Sequence, residues 1–314
     1  MKNSFTKFYS IAPMMGKTDS YFCYLMSFIN KDVRVFTEMM HAETIIRTDL
    51  LENYKILKDL SNITVQIAGN HPNNMAKAAK KISEYGFSQI NINCGCPSKN
   101  VIAGEFGLSL LQKPKIVKRC VEAIKNETTI DISVKTRIGI GHIENEELLD
   151  NFVNEVNTSG INTYIIHARN GLLGNYSTKK NLSIPPLKYK RVFELKEKFR
   201  NNKIIINGGF LNTLDFSKYK NKVDGIMIGR EAYRNPWIFI KKNISYEQKI
   251  NLILRYLYDL KTFFNNTYFN KNSIIHIQNL FNNINGAKEW RKNVNYTVHN
   301  NDLQHLVNYI KLKK

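Results

Sequence analysis

Cysteine is scarce, with four in 314 residues. That excludes a disulfide framework of the kind small secreted domains use in place of a core. Cys94 and Cys96 form a C-x-C pair, but no second pair stands at zinc spacing, so no metal site is expected. Cys23 and Cys120 sit in apolar helical patterns and read as core. Long apolar runs are missing as well. Nothing approaches the ~18 residues of a membrane span. Met1 to Ser10 carries no apolar segment of the secretory type, so neither a membrane nor a secreted protein is expected. The reducing cytoplasm is the expected compartment.

Acid is also short: 26 Asp and Glu stand against 46 Lys and Arg, a formal net charge of +20. Such an excess favours polyanionic partners, nucleic acid or an anionic membrane surface. No basic tract or basic amphipathic helix of the membrane-binding type occurs. The charge is spread out, which suits a broad RNA-facing surface or simply a lysine-rich exterior. A hydrophobic fraction of 43% excludes disorder, and the length allows a large core plus an appendage.

What is present is an alternation. Short β-branched runs read as strands at Phe8 to Ala12, Val33 to Thr37, Ile63 to Ile67, Gln89 to Asn93, Asp131 to Thr136, Thr163 to His167, Lys203 to Asn207 and Gly225 to Gly229. Helical patterns lie between them: Ser20 to Ile29, Asn73 to Tyr85, Lys115 to Lys125, Glu144 to Asn157, Tyr189 to Phe199 and Thr213 to Tyr219. Asn73 and Thr213 read as helix starts, and Gly86 and Gly160 as stops. The expected fold is α/β: a (β/α)8 TIM barrel over residues 1–241, then a small all-α C-terminal domain over 242–314. In that second part Tyr246 to Phe264, Ser273 to Asn283, Gly286 to Asn295 and Asp302 to Lys314 read as helices rich in lysine.

Nearly every strand ends in a polar or reactive residue: Met14, Glu38, Gln66, Asn93 with Cys96, Lys135, His167, Asn207, and Gly229 with Arg230. A barrel gathers all of these on one rim, where barrel active sites lie, whereas a doubly wound sheet would split them. Ile206-Asn207-Gly208-Gly209 and Ile228-Gly229-Arg230 put glycines at two successive strand exits. There backbone N–H groups can approach a phosphate, so a phosphate-bearing cofactor or substrate is expected. Lys135 is a cation aimed into the rim, suited to the N1/O2 edge of a flavin. In Asn93-Cys94-Gly95-Cys96-Pro97-Ser98, glycine and proline shape the loop so that Cys96 is presented. As a neutral thiol it can act as a general acid.

With these stretches in hand, the chain resembles the tRNA-dihydrouridine synthase family, within it the bacterial A-type subfamily. The matching residues are Ala12-Pro13-Met14, Thr37-Glu38-Met39, Val65-Gln66-Ile67, Asn93-Cys94-Gly95-Cys96-Pro97-Ser98, Val134-Lys135-Thr136-Arg137, His167-Ala168-Arg169, Asn207-Gly208-Gly209, Gly229-Arg230 and, further on, Gly286-Ala287-Lys288-Glu289-Trp290-Arg291. The resemblance implies an FMN enzyme, reduced by NADPH, that saturates the C5–C6 bond of uridines 20 and 20a in the D-loop of tRNA. It implies hydride transfer from flavin N5 to C6 and a proton from Cys96 to C5. It assigns flavin contacts to Pro13, Met14, Met15, Gln66, Lys135, His167, Asn207, Gly208, Gly209, Gly229 and Arg230. It assigns uracil and tRNA contacts to Asn93, Gly95, Lys179, Leu182, Lys288 and Arg291, in a protein monomeric on its tRNA.

Two positions depart from the family pattern. Leu182 replaces a basic residue, and Lys288 stands where arginine is usual. Lysine lacks the bidentate fork of arginine, so these changes bear on RNA contacts, not on redox chemistry. Two other readings stay open: a flavin barrel acting on a free pyrimidine, and a non-catalytic tRNA-binding protein on the same scaffold.

Overall fold

The computed structural model describes residues 9–57, 60–142, 145–174, 176–177, 180–213, 217–240, 244–263, 271–282 and 284–312. In chain order the elements are β1 (Tyr9–Ile11), α1 (Ser20–Ile29), β2 (Arg34–His41), α2 (Ala42–Arg47), β3 (Ile63–Ala68), α3 (Pro72–Glu84), β4 (Gln89–Cys94), α4 (Lys99–Ala103), α5 (Pro114–Glu127) and β5 (Asp131–Arg137). They continue with α6 (Glu146–Asn157), β6 (Thr163–His167), α7 (Tyr189–Lys198), β7 (Lys203–Asn207), β8 (Gly225–Ile228), α8 (Arg230–Arg234), α9 (Tyr246–Phe263), α10 (Lys271–Ile275), α11 (Ala287–Asn300) and α12 (Leu303–Leu312). The eight strands close into a barrel in the order β1 to β8. Every pairing is parallel, and Ile11 against Ile228 seals the ring.

Helical periodicity explains the outer layer. On α5 the buried set Val117, Cys120, Val121 and Ile124 recurs at i, i+3, i+4 and i+7, one stripe facing the sheet. Each of the valine and isoleucine side chains contributes ~1.5–3 kcal/mol relative to exposure. Cys23, Cys94 and Cys120 are all buried in this layer. A smaller apolar cluster lies apart from it: Ala12, Phe36, Ile165 and Met227, with Ile205 against them. The β3–β5 side is polar instead, with Gln66, Asn91, Asn93 and Ser133 bonded to one another. Apolar packing thus stiffens one side of the barrel, while hydrogen bonding does so on the other.

After β8 no strand follows among the described residues, and the chain is helical. Tyr256 on α9 packs against Tyr24 and Phe28 of α1, with ring centroids 6.0 and 5.9 Å apart. Trp290 on α11 donates its indole N–H to Ile277 O at 2.9 Å. The expected boundary at 241/242 falls outside the described residues. No described helix is long and apolar enough to cross a membrane.

Three local expectations are corrected. The helix expected to start at Asn73 begins at Pro72 after His71, because proline's fixed φ and missing N–H suit the first helical position. β2 runs on to His41, past an irregularity in its register between Phe36 and Met39. The stretch expected as one helix over Ser273 to Asn283 divides into α10 and a 3-10 turn, His276–Phe281. There the carbonyls of Ile277 and Leu280 accept the indoles of Trp290 and Trp237. Those tertiary bonds replace the regular i→i+4 ladder. Of the helix expected over Thr213 to Tyr219, residues 214–216 lie outside the described set.

Candidate active site

Strand alternation sends Lys135 and Arg137 to the same face of β5. The ammonium of half-buried Lys135 donates to Asn207 Oδ1 at 3.0 Å, and Asn207 donates its own amide to Met227 O at 2.8 Å. Burial, then the neighbouring Arg137 guanidinium, pulls the Lys135 ammonium down to about 7. His167 is buried at the end of β6. Burial first, then Arg137, Lys135, Arg169 and Arg230, holds its pKa well below the ordinary imidazole range, so the ring is neutral. The rim is therefore crowded with cations around a neutral imidazole.

Gly208 follows β7 with φ +120, open to glycine and rarely to other residues. A Cβ there would stand 2.8 Å from His167 Cδ2, so the backbone lies against the imidazole because this residue has no side chain. Gly208 O accepts the Tyr189 hydroxyl at 2.6 Å. One unit on, a Cβ on Gly229 would meet only Ala12 Cβ at 3.6 Å and Met14 Sδ at 3.9 Å. Met14 thus borders the Gly229 loop, and half-buried Pro13 precedes it. Met15 is 65% exposed, and Gly209 and Arg230 are exposed too.

The cysteine loop is built on Asn93. Its Oδ1 accepts the amide N–H of Gly95 at 3.2 Å and of Cys96 at 3.0 Å. Its Nδ2 donates to Gln66 Oε1 at 2.8 Å, and Gln66 donates to Asn91 Oδ1 at 2.7 Å. A loop braced in this way presents Cys96 half-buried, its Sγ 3.5 Å from Ser98 Oγ. Gly95 is close-packed, since a Cβ would come within 3.3 Å of the Thr136 backbone.

The barrel gathers Met14, Gln66, Asn93, Cys96, Lys135, His167, Asn207, Gly208 and Gly229 at the C-terminal ends of the strands. Leu182 lies in the β6–α7 connection, half-buried, beside fully buried Asn181. Lys179 lies outside the described residues. Lys288 and Arg291 share one face of α11, a turn apart. Lys288 is exposed, whereas Arg291 is half-buried and bonded to Asn282 Oδ1 at 3.1 Å.

Arg137 carries a role that sequence reasoning does not assign. It is 3% exposed, and it donates Nε–H to Gly95 O at 2.9 Å and one terminal nitrogen to Asn170 O at 3.0 Å and Asn181 O at 3.3 Å. One guanidinium thereby ties the Cys96 loop to the β6–α7 connection. Its position two residues after Lys135 is the one signal the sequence offers.

No group of three or more His, Cys, Asp or Glu able to hold a metal occurs among the described residues. The donor set fits a phosphate-bearing flavin. It offers backbone N–H groups at the glycine exits, a lysine and a neutral histidine at the mouth, and one amide N–H of Gln66 beyond its bond to Asn91.

A closed parallel barrel with such a rim is the architecture of a barrel enzyme, its site at the C-terminal ends of the strands. By fold it is similar to 2-naphthoyl-CoA reductase in complex with 2-naphthoyl-CoA, at TM-score 0.53 and 9% identity over 73% of this chain and 49% of that one. It is likewise similar to morphinone reductase in complex with tetrahydroNAD, at TM-score 0.51 and 10% identity over 74% of this chain and 85% of that one.

The chain belongs to the dihydrouridine synthase (Dus) family, a family of oxidoreductases, whose model matches residues 10–314. It is 36% identical over 244 residues to the tRNA-dihydrouridine(20/20a) synthase of Synechocystis sp., covering 78% of this chain and 73% of the relative. It is 34% identical over 306 residues to the protein of that name from Shewanella oneidensis, covering 93% and 89%. For the Escherichia coli K12 protein of that name the figures are 33% over 302 residues, covering 93% and 86%.

Proposed function

We propose that this protein reduces uridine to 5,6-dihydrouridine in the D-loop of tRNA, at positions 20 and 20a, with FMN as bound cofactor and NADPH as reductant. The family and the names of its relatives support the reaction and the substrate. Pro13, Met14, Met15, Gln66, Lys135, His167, Asn207, Gly208, Gly209, Gly229 and Arg230 hold the flavin. Once reduced and bound there, FMN supplies the hydride that uracil C6 receives.

Cys96 completes the reduction by giving its thiol proton to C5. Hydride at C6 and proton at C5 saturate the double bond, and the thiolate left behind regains a proton from solvent. Asn93 holds the backbone of the cysteine loop through Oδ1 and offers the uracil the one Nδ2 hydrogen beyond its bond to Gln66, while Gly95 lets the loop pack closely. The observation that carries this reading is the convergence on one rim of the Asn93-braced cysteine loop and the Lys135–Asn207 pair.

A stacked base cannot reach a barrel mouth, so the uridine is extruded into it. Lys179, Leu182, Lys288 and Arg291 are assigned to tRNA contact, within a net charge of +20 suited to neutralising phosphates. We assign residues 1–241 to catalysis and 242–314 to tRNA binding, by a monomer working in the cytoplasm.

Nucleoside mass mapping of an unmodified tRNA transcript, incubated with protein, FMN and NADPH, tests the proposal. A gain of two hydrogens at uridine 20 or 20a is expected. A gain at another D-loop uridine keeps the chemistry and overturns the positions. Turnover of free uracil without any gain in tRNA overturns the substrate.

A further inference from the structure

His276 opens the 3-10 turn of the helical region, is 2% exposed, and belongs to none of the strand ends that form the rim. Its Nε2 lies 2.8 Å from Asp19 Oδ1, and its Nδ1 3.2 Å from the Tyr233 hydroxyl. The carboxylate can only accept, so Nε2 donates to Asp19, and the Tyr233 hydroxyl, able to donate or accept, engages Nδ1. Phe22 packs against both rings, its centroid 5.6 Å from that of His276 and 5.1 Å from that of Tyr233. A buried ring with both nitrogens engaged and an aromatic face covered has one orientation.

Its two partners lie on the barrel side of the seam. Asp19 caps α1, its Oδ1 also accepting Phe22 N–H at 3.0 Å. It directly follows the Met14–Thr18 turn, in which Met14 N–H donates to Thr18 Oγ1 at 2.9 Å and Lys17 N–H to Glu38 Oε1 at 3.2 Å. Tyr233 lies on α8, which starts at the Gly229-Arg230 exit. His276 therefore touches the elements that carry two of the proposed flavin-holding segments.

In the other direction the turn holds α11. Ile277, one residue on, accepts the Trp290 indole. At the end of the turn Asn282 accepts from Arg291 at 3.1 Å and donates to Arg234 O at 2.7 Å. Arg234 is the last residue of α8, so the path runs from Arg291 back to the helix behind Gly229.

We propose that His276 is a positioning residue: through Asp19 and Tyr233 it sets the basic face of α11 in register with the barrel mouth, so that a bound tRNA delivers its uridine to Cys96. This rests on reading Lys288 and Arg291 as tRNA contacts. Losing the bond to the Asp19 carboxylate frees the helical region to shift against the mouth. A shift of that kind penalises tRNA engagement and leaves the flavin chemistry intact.

The test is steady-state kinetics of flavin-loaded H276A, H276Q and Y233F with tRNA, beside tRNA-independent NADPH oxidation. H276A should raise the tRNA KM about tenfold with kcat little changed, the size expected for one charge-assisted bond. NADPH oxidation without tRNA should match that of the unaltered protein. Glutamine places an amide N–H near the former Nε2, so H276Q should recover most of the KM. Y233F removes only the second partner and should raise KM a few-fold.

An unchanged KM in H276A overturns the proposal. So does a parallel fall in flavin occupancy and NADPH oxidation that H276Q does not restore, since general loosening then explains the defect. If H276A does not fold, Y233F decides, and an unchanged KM there overturns it. The K288A/R291A variant separates the two readings: unchanged KM in that variant removes the assigned contacts and the positioning role with them, whereas a raised KM there beside an unchanged KM in H276A keeps the contacts and removes only the positioning role.

Discussion

Asn93 and Cys96 are joined through the backbone, the side-chain oxygen of the first accepting the amide N–H of the second at 3.0 Å. The residue proposed to hold uracil thus also shapes the loop that presents the thiol. Replacing Asn93 would alter both at once, so the proton donor is tested on Cys96 alone.

Cys96→Ala should retain bound FMN and oxidise NADPH at the normal rate. Dihydrouridine formation should fall by about 10²–10⁴, the usual contribution of a general acid. Product quantification on tRNA checks this. Normal yield would remove Cys96 from the mechanism.

Lys135 gives a pH-dependent prediction. Burial lowers its pKa to about 7 in the folded protein, while the unfolded chain keeps the ordinary value of 10.5. Between those values the unfolded state binds more protons, so the stability of flavin-free protein rises with pH from this group. The penalty of holding a charged ammonium is full below pH 7 and gone above 10.5. Lys135→Met should therefore raise Tm by a few degrees at pH 6, with the gap closing as pH rises. Differential scanning calorimetry at several pH values checks it. In the same variant FMN should bind more weakly, read as flavin-to-protein ratio.

Gly208→Ala forces a side chain into a conformation at φ +120 and against His167. It should cost ~1–3 kcal/mol of stability, the usual strain of such a backbone. Flavin occupancy should fall with it. Thermal unfolding together with the flavin absorbance separates a local from a global effect, and an unchanged absorbance would detach Gly208 from the cofactor.

Lys288 and Arg291 together replaced by alanine should raise the tRNA KM. They should also flatten the salt dependence of binding, by ~0.7–0.9 in log–log slope for each phosphate that is no longer neutralised. Binding titrations at several salt concentrations check this. An unchanged slope moves the RNA surface elsewhere.

The strand ends are legible in the sequence because strand runs of β-branched residues stop at polar ones, a local pattern. Lys135, His167 and Asn207 can be placed on one rim from that pattern and barrel closure together. The start of α3 at Pro72 is not legible, because Asn73 offers a better-known cap signal, whereas His71 before the helix makes no side-chain capping bond and only the adjacent Pro72 marks the first turn. The turn at His276 is invisible for a different reason: its partners Asp19 and Tyr233 are far away in sequence.

The sequence alone determined the alternation of strands and helices, the glycines at the exits, the Asn-Cys-Gly-Cys-Pro-Ser loop and the excess of positive charge, since each resides in neighbouring residues. Only the tertiary structure decided what those residues do to one another. Closing the ring set Lys135 on Asn207, folded Arg137 under the Cys96 loop and brought His276 to Asp19. Such pairings join residues far apart in the chain, and their geometry follows from which surfaces the packed core brings together, not from any local pattern.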